Sequence, residues 1–291
     1  VLLCTHHTLG QTPDPAPPSG LIPEGTALES GPSNNPDNES TYFPELRGET
    51  PAVPDIRTPG PDLANFPNSP YTLPSGRAYV ETSPVFLSGP SSSSPAIYNA
   101  EFLLRYGLTD RTELRMFGNG PTAQWGRPNS PDGFAPLAWD LKVNFWPEDP
   151  ACFLPAAGLE VALLTPTGTP GLNQGFQPIV NLLFDQTLPG EFLLETNVGF
   201  AGEPVDNDTS TTQLEPIVQW ALQRELFEDF DLYFHGYFNG SAVPRFGDGI
   251  VLGGGAIWAV NARLALFANY NAGVTTDSPT TLFQLGGAFA F

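Results

Sequence analysis

Basic residues are scarce. The 291-residue chain carries 11 Lys and Arg against 31 Asp and Glu, a formal net charge of −20. A surface this acidic repels phosphate backbones, which argues against a nucleic-acid binder. Cysteine is nearly absent: Cys4 and Cys152 stand far apart, and no CxxC or Cys/His cluster suggests zinc. The three histidines, His6, His7 and His235, are too few and too scattered for a metal site, and no cofactor is implied. Long apolar runs are missing as well. No stretch approaches 18 apolar residues, which excludes a transmembrane helix but not a β-barrel, whose strands each give a weaker signal.

Pro, Gly and Phe are plentiful, at 33, 30 and 21, and 40% hydrophobic residues exclude wholesale disorder. The composition changes near residue 75. Residues 1–10, opening Val1-Leu2-Leu3-Cys4, read as the remnant of an export signal, with Thr8-Leu9-Gly10-Gln11 as a cleavage region. Residues 11–74 hold fifteen prolines and nine acids, with Arg47 and Arg57 as their bases. Proline at that density holds neither a helix nor a central strand, so 11–74 reads as an acidic, disordered or polyproline-like leader.

From 75 to 291 the texture is that of a barrel. Twelve segments of about ten residues alternate apolar and polar positions: 77–88, 98–108, 112–118, 134–146, 156–165, 176–188, 191–201, 213–224, 230–239, 249–259, 263–274 and 281–291. In Leu137–Phe145 every odd position is apolar, while Asp140, Lys142 and Asn144 face the other way. The segment at Gly253-Gly254-Gly255 alternates poorly. Odd-numbered connections are mostly long, and even-numbered ones mostly short, such as Thr109-Asp110-Arg111 and Pro189-Gly190. The exception, 147–155, holds prolines that could make it compact. Loops sorted by length onto two ends are the organisation of an outer-membrane barrel. A twelve-stranded antiparallel transmembrane barrel is therefore expected, with both of its ends, and the leader, on the periplasmic side. The segment 112–118 is short for a span and would have to extend into its flanking loop.

Aromatic residues suggest two interfacial girdles. Tyr106, Trp146, Trp258 and Phe291 end even-numbered strands; Phe86, Phe117, Phe200 and Phe238 end odd-numbered ones; Tyr98, Phe134 and Phe176 begin strands. The chain stops on an alternating strand, with Phe289 and Phe291 as the candidate signal for the barrel-assembly machinery.

Several stretches carry a family resemblance: Leu73–Pro84, Glu101–Arg115, Trp139–Asn144 and Leu264–Gly273. The most specific is the hairpin Tyr106-Gly-Leu-Thr-Asp-Arg-Thr-Glu-Leu-Arg115. Over residues 73–291 the chain resembles the meta-pathway phenol-degradation family of outer-membrane, transporter-like proteins. The resemblance implies an outer-membrane barrel passing small compounds, aromatic or hydrophobic ones among them. It defines no site residues.

If one face of each strand meets lipid, its charges must point inward. Parity then lines the lumen with Arg77, Glu81, Glu101, Arg105, Glu113, Arg115, Asp140, Lys142, Glu160, Asp185, Glu195 and Glu215. The bases fall on strands one to four, and strands five to eight contribute only acids. Strands nine to eleven add Tyr233, His235, Tyr237, Asn239, Asn269 and Asn271. These groups either form a structural network that fills a narrow lumen or line a wet pore of asymmetric charge, whose acid excess favours cations. The expected function is passive diffusion of small molecules, with outer-membrane lipid and a small solute as partners and the oligomeric state open. A closed structural or adhesion barrel is the alternative, its outer loops or leader meeting partners; Pro121–Arg127, with Trp125 and Arg127, is the most binder-like loop. A lipid-modifying enzyme is disfavoured: His235 is the barrel's one histidine, Tyr237 rather than Ser follows it on the same face, and GxSxG is absent.

Overall fold

The computed structural model describes residues 54–92, 94–126, 130–173, 175–205, 208–240 and 248–291. The expected signal remnant, the leader up to residue 53 and Arg127 lie outside the described residues. Among these residues no helix is long and apolar enough to cross a membrane, which says nothing against crossing by strands.

Twelve antiparallel staves close into a barrel. They are β1 (Ala78–Ser88), β2 (Ala96–Thr109), β3 (Thr112–Gly118, resumed at Pro121–Trp125) and β4 (Gly133–Phe134, resumed at Leu137–Trp146). The remaining staves are β5 (Ala156–Leu164), β6 (Gln177–Leu188), β7 (Phe192–Val205), β8 (Asp208–Phe227), β9 (Phe230–Asn239), β10 (Gly249–Asn261), β11 (Leu264–Gly273) and β12 (Thr281–Ala290). Each pairs with the next, and β12 pairs back to β1 from Tyr79↔Ala290 to Ser88↔Leu282, so no sheet edge is left open. The short 112–118 segment gains its length as anticipated. After a break at Gly118–Gly120 the chain pairs Thr122–Trp125 with Ala96–Asn99 of β2. The stretch 202–212, read as a long loop, instead prolongs β7 and β8 to Val205 and Asp208.

The short connections share one end of the barrel, the turn end. At Pro189-Gly190-Glu191, φ is +84° at Gly190 and +62° at Glu191, the left-handed pair that a tight hairpin requires. The connection 147–155 is compact: Asp149 and Leu154 exchange both backbone hydrogen bonds around a 3₁₀ turn at Pro150–Cys152.

Alternation places apolar residues outside and polar residues inside, the reverse of a soluble protein. Leu104, Leu114, Leu141, Val161, Leu182, Val198, Phe234, Leu266 and Leu285 are exposed, while Glu81, Arg105, Glu113, Arg115, Asp140 and Lys142 are buried. Tyr106, Trp146, Trp258 and Phe291 are exposed at the turn end, and Phe134, Phe176 and Phe200 at the loop end. Two girdle assignments need correction. Register slips between Ser83 and Phe86, so Phe86 lies opposite the buried Asn99 and Gln284. Phe117 lies opposite the buried Leu103 and Ala138. Both rings therefore face inward. At β1 the bulge adds one residue and reverses parity beyond it, whereas Phe117 simply shares the parity of Glu113 and Arg115.

Candidate functional site

The barrel interior is occupied by the chain's own residues 54–74. This corrects the expectation that the whole of 11–74 is a disordered leader. The segment enters and leaves at the turn end. At its start Tyr79 donates to the Asp55 carbonyl, Ile56 N–H donates to the Ala262 carbonyl (2.8 Å), and Arg57 pairs with Asp229 (2.8 Å). At its return Tyr71 Oη accepts from Glu148 N–H (3.2 Å), and Thr72 Oγ1 donates to the Asp110 carbonyl (3.0 Å). Between these ends it forms a loop inside the lumen. Proline forbids a place in the ladder, and this segment has none; within the lumen many of its backbone groups bond to inward-facing side chains instead.

Three walls receive it in three ways. The basic wall is β2 to β4. Arg105, Arg115 and Lys142 converge there on one oxygen of Asp62, at 3.3, 2.8 and 2.5 Å. Arg105 also forks onto Glu113 (2.7 and 3.1 Å) and reaches Glu81 (3.0 Å). Arg115 pairs with Asp140 and with Glu160 (2.6 Å). Glu81 and Glu113 accept the Leu63 and Leu73 N–H groups, each at 2.7 Å. Burial alone would push the Asp62 carboxyl up, but the three cations around it hold it down, to about 2.

The acidic wall is β5 to β7 and holds no base. Here the segment offers neutral donors: Asn68 to Glu160 (2.6 Å), Ser69 to Asp185 (2.7 Å) and Asn65 to Glu195 (2.5 Å). With its oxygen turned toward Asn68, the Asn197 amide accepts from Asn68 N–H (2.7 Å) and donates to its carbonyl (2.9 Å). Asp185 and Glu195 are directly opposite each other across β6 and β7, and Asp185 Oδ1 is buried without a partner.

The third wall is β9 to β12. Its turn-end half is apolar, with Ile257, Ala259, Ala265, Phe267, Ala288 and Ala290 packed against Ile56, Leu63 and Ala64. Deeper in, Tyr233 donates to the Ala64 carbonyl (2.5 Å), and Phe66 N–H donates to His235 Nδ1 (3.2 Å). The Phe66 ring stacks on His235 with centroids 4.0 Å apart. The irregular glycines of β10 belong here. A Cβ at Gly253 would strike Asn271, and one at Gly255 would strike Tyr233. With no side chain at these two inward positions, β9 and β11 bond across the stave.

The family model described as "Putative MetA-pathway of phenol degradation" matches residues 62–291. The chain belongs to this family. The match begins at Asp62, so the phenol-degradation family model takes in the returning limb of the inner segment as well as the barrel. The solved COG4313 outer membrane channel from Pseudomonas putida F1 is similar in fold, with a TM-score of 0.59 and 14% identity over 78% of this chain and 99% of that one. The NanC porin (TM-score 0.48, 8% identity, 73% and 98% covered) and OprB of Pseudomonas putida (0.32, 11%, 74% and 91%) also match. No curated protein matches. The fold is thus a closed twelve-stranded barrel of the outer-membrane type.

Within this family member, nine of the twelve residues assigned to the lumen by parity meet at the inner segment or its ion-pair network: Glu81, Arg105, Glu113, Arg115, Asp140, Lys142, Glu160, Asp185 and Glu195. Glu101 is half-buried and accepts from Gln284 (3.3 Å). Glu215 is half-buried on β8, toward the loop end. Arg77 precedes β1 and makes no ion pair among the described residues; its Nε is buried without a partner. Phe289 and Phe291 are exposed and meet edge to face at 4.8 Å. Trp125, singled out as binder-like, is exposed at the end of β3. The residues missed are Asp62, Asn65, Phe66, Asn68 and Ser69. A signal for Asp62 existed: three inward bases on neighbouring strands call for a carboxylate.

Proposed function

We propose that this chain is a passive channel of the outer membrane for small molecules, with residues 54–74 seated as a plug in the turn-end half of its lumen. The observation that carries the reading is the inside-out distribution of side chains in a closed barrel: an apolar belt outside and a polar, ionised wall inside. Lipid surrounds the belt, the turn end faces the periplasm with the leader, and the assembly machinery reads the strand ending in Phe289 and Phe291. Aromatic or hydrophobic compounds are the solute class, by the family's name. One observation favours a closed structural barrel instead, namely that the plug bonds to all three walls. Conductance in a planar bilayer separates the two. A channel conducts in the native chain, prefers cations because acids outnumber bases in the lumen, and conducts more in Asp62→Ala. Silence of both proteins, each correctly folded, leaves the structural barrel.

A further inference from the structure

The hydrogen-bond polarity around His235 fixes its protonation state. A backbone N–H can only donate, so His235 Nδ1, which faces Phe66 N–H, must be the bare nitrogen. The other side gives the same answer independently. Asn271 spends its Nδ2 on Asn269 Oδ1 (2.9 Å), and Asn269 spends its own on Gln284 Oε1 (2.6 Å) and the Ala64 carbonyl (3.0 Å). Gln284 then donates to the Leu63 carbonyl (3.1 Å) and to Glu101. Asn271 therefore presents its oxygen to His235 Nε2 (2.5 Å), and that nitrogen carries the proton. A directed chain of amides runs from His235 to Glu101, and both ends of the plug's Leu63–Phe66 stretch hang from it.

We propose that neutral His235 is the positioning residue for the plug tip, and that its protonation releases the tip and opens the lumen. This rests on the channel reading above. An imidazolium carries N–H on both nitrogens, so Nδ1–H would confront Phe66 N–H, two donors with no acceptor between them. The surroundings offer no rescue. On its own strand the inward neighbours are Tyr233 and Tyr237; β8 contributes Ala221 opposite, flanked by Gln219 and Gln223. On β10 Gly253 is opposite, flanked by Val251 and Gly255, and β11 contributes Asn269 and Asn271. The carboxylates of this quadrant are already engaged: Glu195 accepts from Asn65, and Glu101 lies at the far end of the amide chain. The stacked Phe66 ring attracts a cation through its face, but it cannot accept the new in-plane N–H. A buried charge without a partner is relieved when water enters, and water enters here when Phe66 leaves.

The test uses the full chain in lipid, labelled with 15N-histidine and 15N-phenylalanine. His235→Gln is the pH-blind comparison, since its carboxamide offers an oxygen to Phe66 and an N–H to Asn271 at every pH. The expected result has three parts. The imidazole is neutral at pH 7.5 with its proton on Nε2. Phe66 amide exchange, corrected for intrinsic rate, rises about tenfold or more between pH 7.5 and pH 4. In His235→Gln it changes by less than about twofold. An imidazole protonated on Nδ1, or already cationic, at pH 7.5 overturns the proposal. So does Phe66 exchange that is flat in the native chain, or that rises equally in His235→Gln, which would assign release to the carboxylates. Conductance on the same proteins keeps the two readings apart. If neither protein conducts at any pH while Phe66 exchange responds as expected, the channel fails and the latch stands.

Discussion

The basic and acidic walls of the lumen hold the same segment by opposite means. On β2 to β4 one carboxylate, Asp62, gathers three cations in a site where the Arg105 side chain is 0% exposed. On β5 to β7 the wall is already anionic, and the segment brings amides and a hydroxyl. Ion pairs taken out of water cost much to desolvate, so such a cluster is costly to break and adds less net stability than its contacts suggest. Neutral donors to carboxylates are individually weaker and nearly independent. The plug should therefore be decided by one residue on one wall and graded by several on the other.

Asp62→Ala breaks this picture if it is wrong. It leaves three buried cations with one carboxylate fewer and should cost about 4 kcal/mol, read as a lower denaturant midpoint. A loss well under 1 would mean that the wall is wet. Arg105→Ala removes the whole fork on Glu113 and the cation on Glu81, leaving each carboxylate only backbone N–H donors, and should cost about 3 kcal/mol in the same measurement. On the other wall, Asn68→Ala removes the donor to Glu160 and should cost about 1.5 kcal/mol, with increased exchange confined to the residues around it. Asp185→Asn should be neutral or stabilising by a few tenths of a kcal/mol, because like charges directly opposite each other destabilise a strand pair and Ser69 keeps an acceptor. The smallest effect expected is none. The folded carboxyl of Asp62 is held down to about 2, below its unfolded value near 4. Its contribution is therefore full above about pH 4 and is lost as pH falls toward 2. The Asp62 carboxyl should stay ionised from pH 5 to 8, as followed by its 13C carboxyl shift.

All twelve staves were legible because lipid on one side and polar groups on the other impose strict alternation on each of them. Legibility failed where alternation is locally reset. The slip between Ser83 and Phe86 turns Phe86 inward. At β10 the missing side chains mark a crossing point for bonds between β9 and β11, not a weak strand. The plug was hidden for another reason. Proline density does report a backbone unfit for a ladder, and 54–74 is in no ladder. It is ordered by side chains that sequence places 20 to 200 residues away, such as Arg105, Glu195 and His235, and no local pattern reveals their convergence. The charges themselves were legible; the acid that completes them was read as part of a solvated tail.

Both limbs of the inner segment leave the barrel through the same end: Asp55 and Ile56 beside Tyr79 and Ala262, and Tyr71 and Thr72 beside Glu148 and Asp110. It is a bight of rope laid into a cup, not a thread drawn through a tube. A bight can be lifted out or laid back with the closed β1–β12 seam intact, and no chain end ever has to pass the constriction. The molecule can therefore exchange an empty for a filled lumen without unthreading, however long or bulky the chain before Pro54 is.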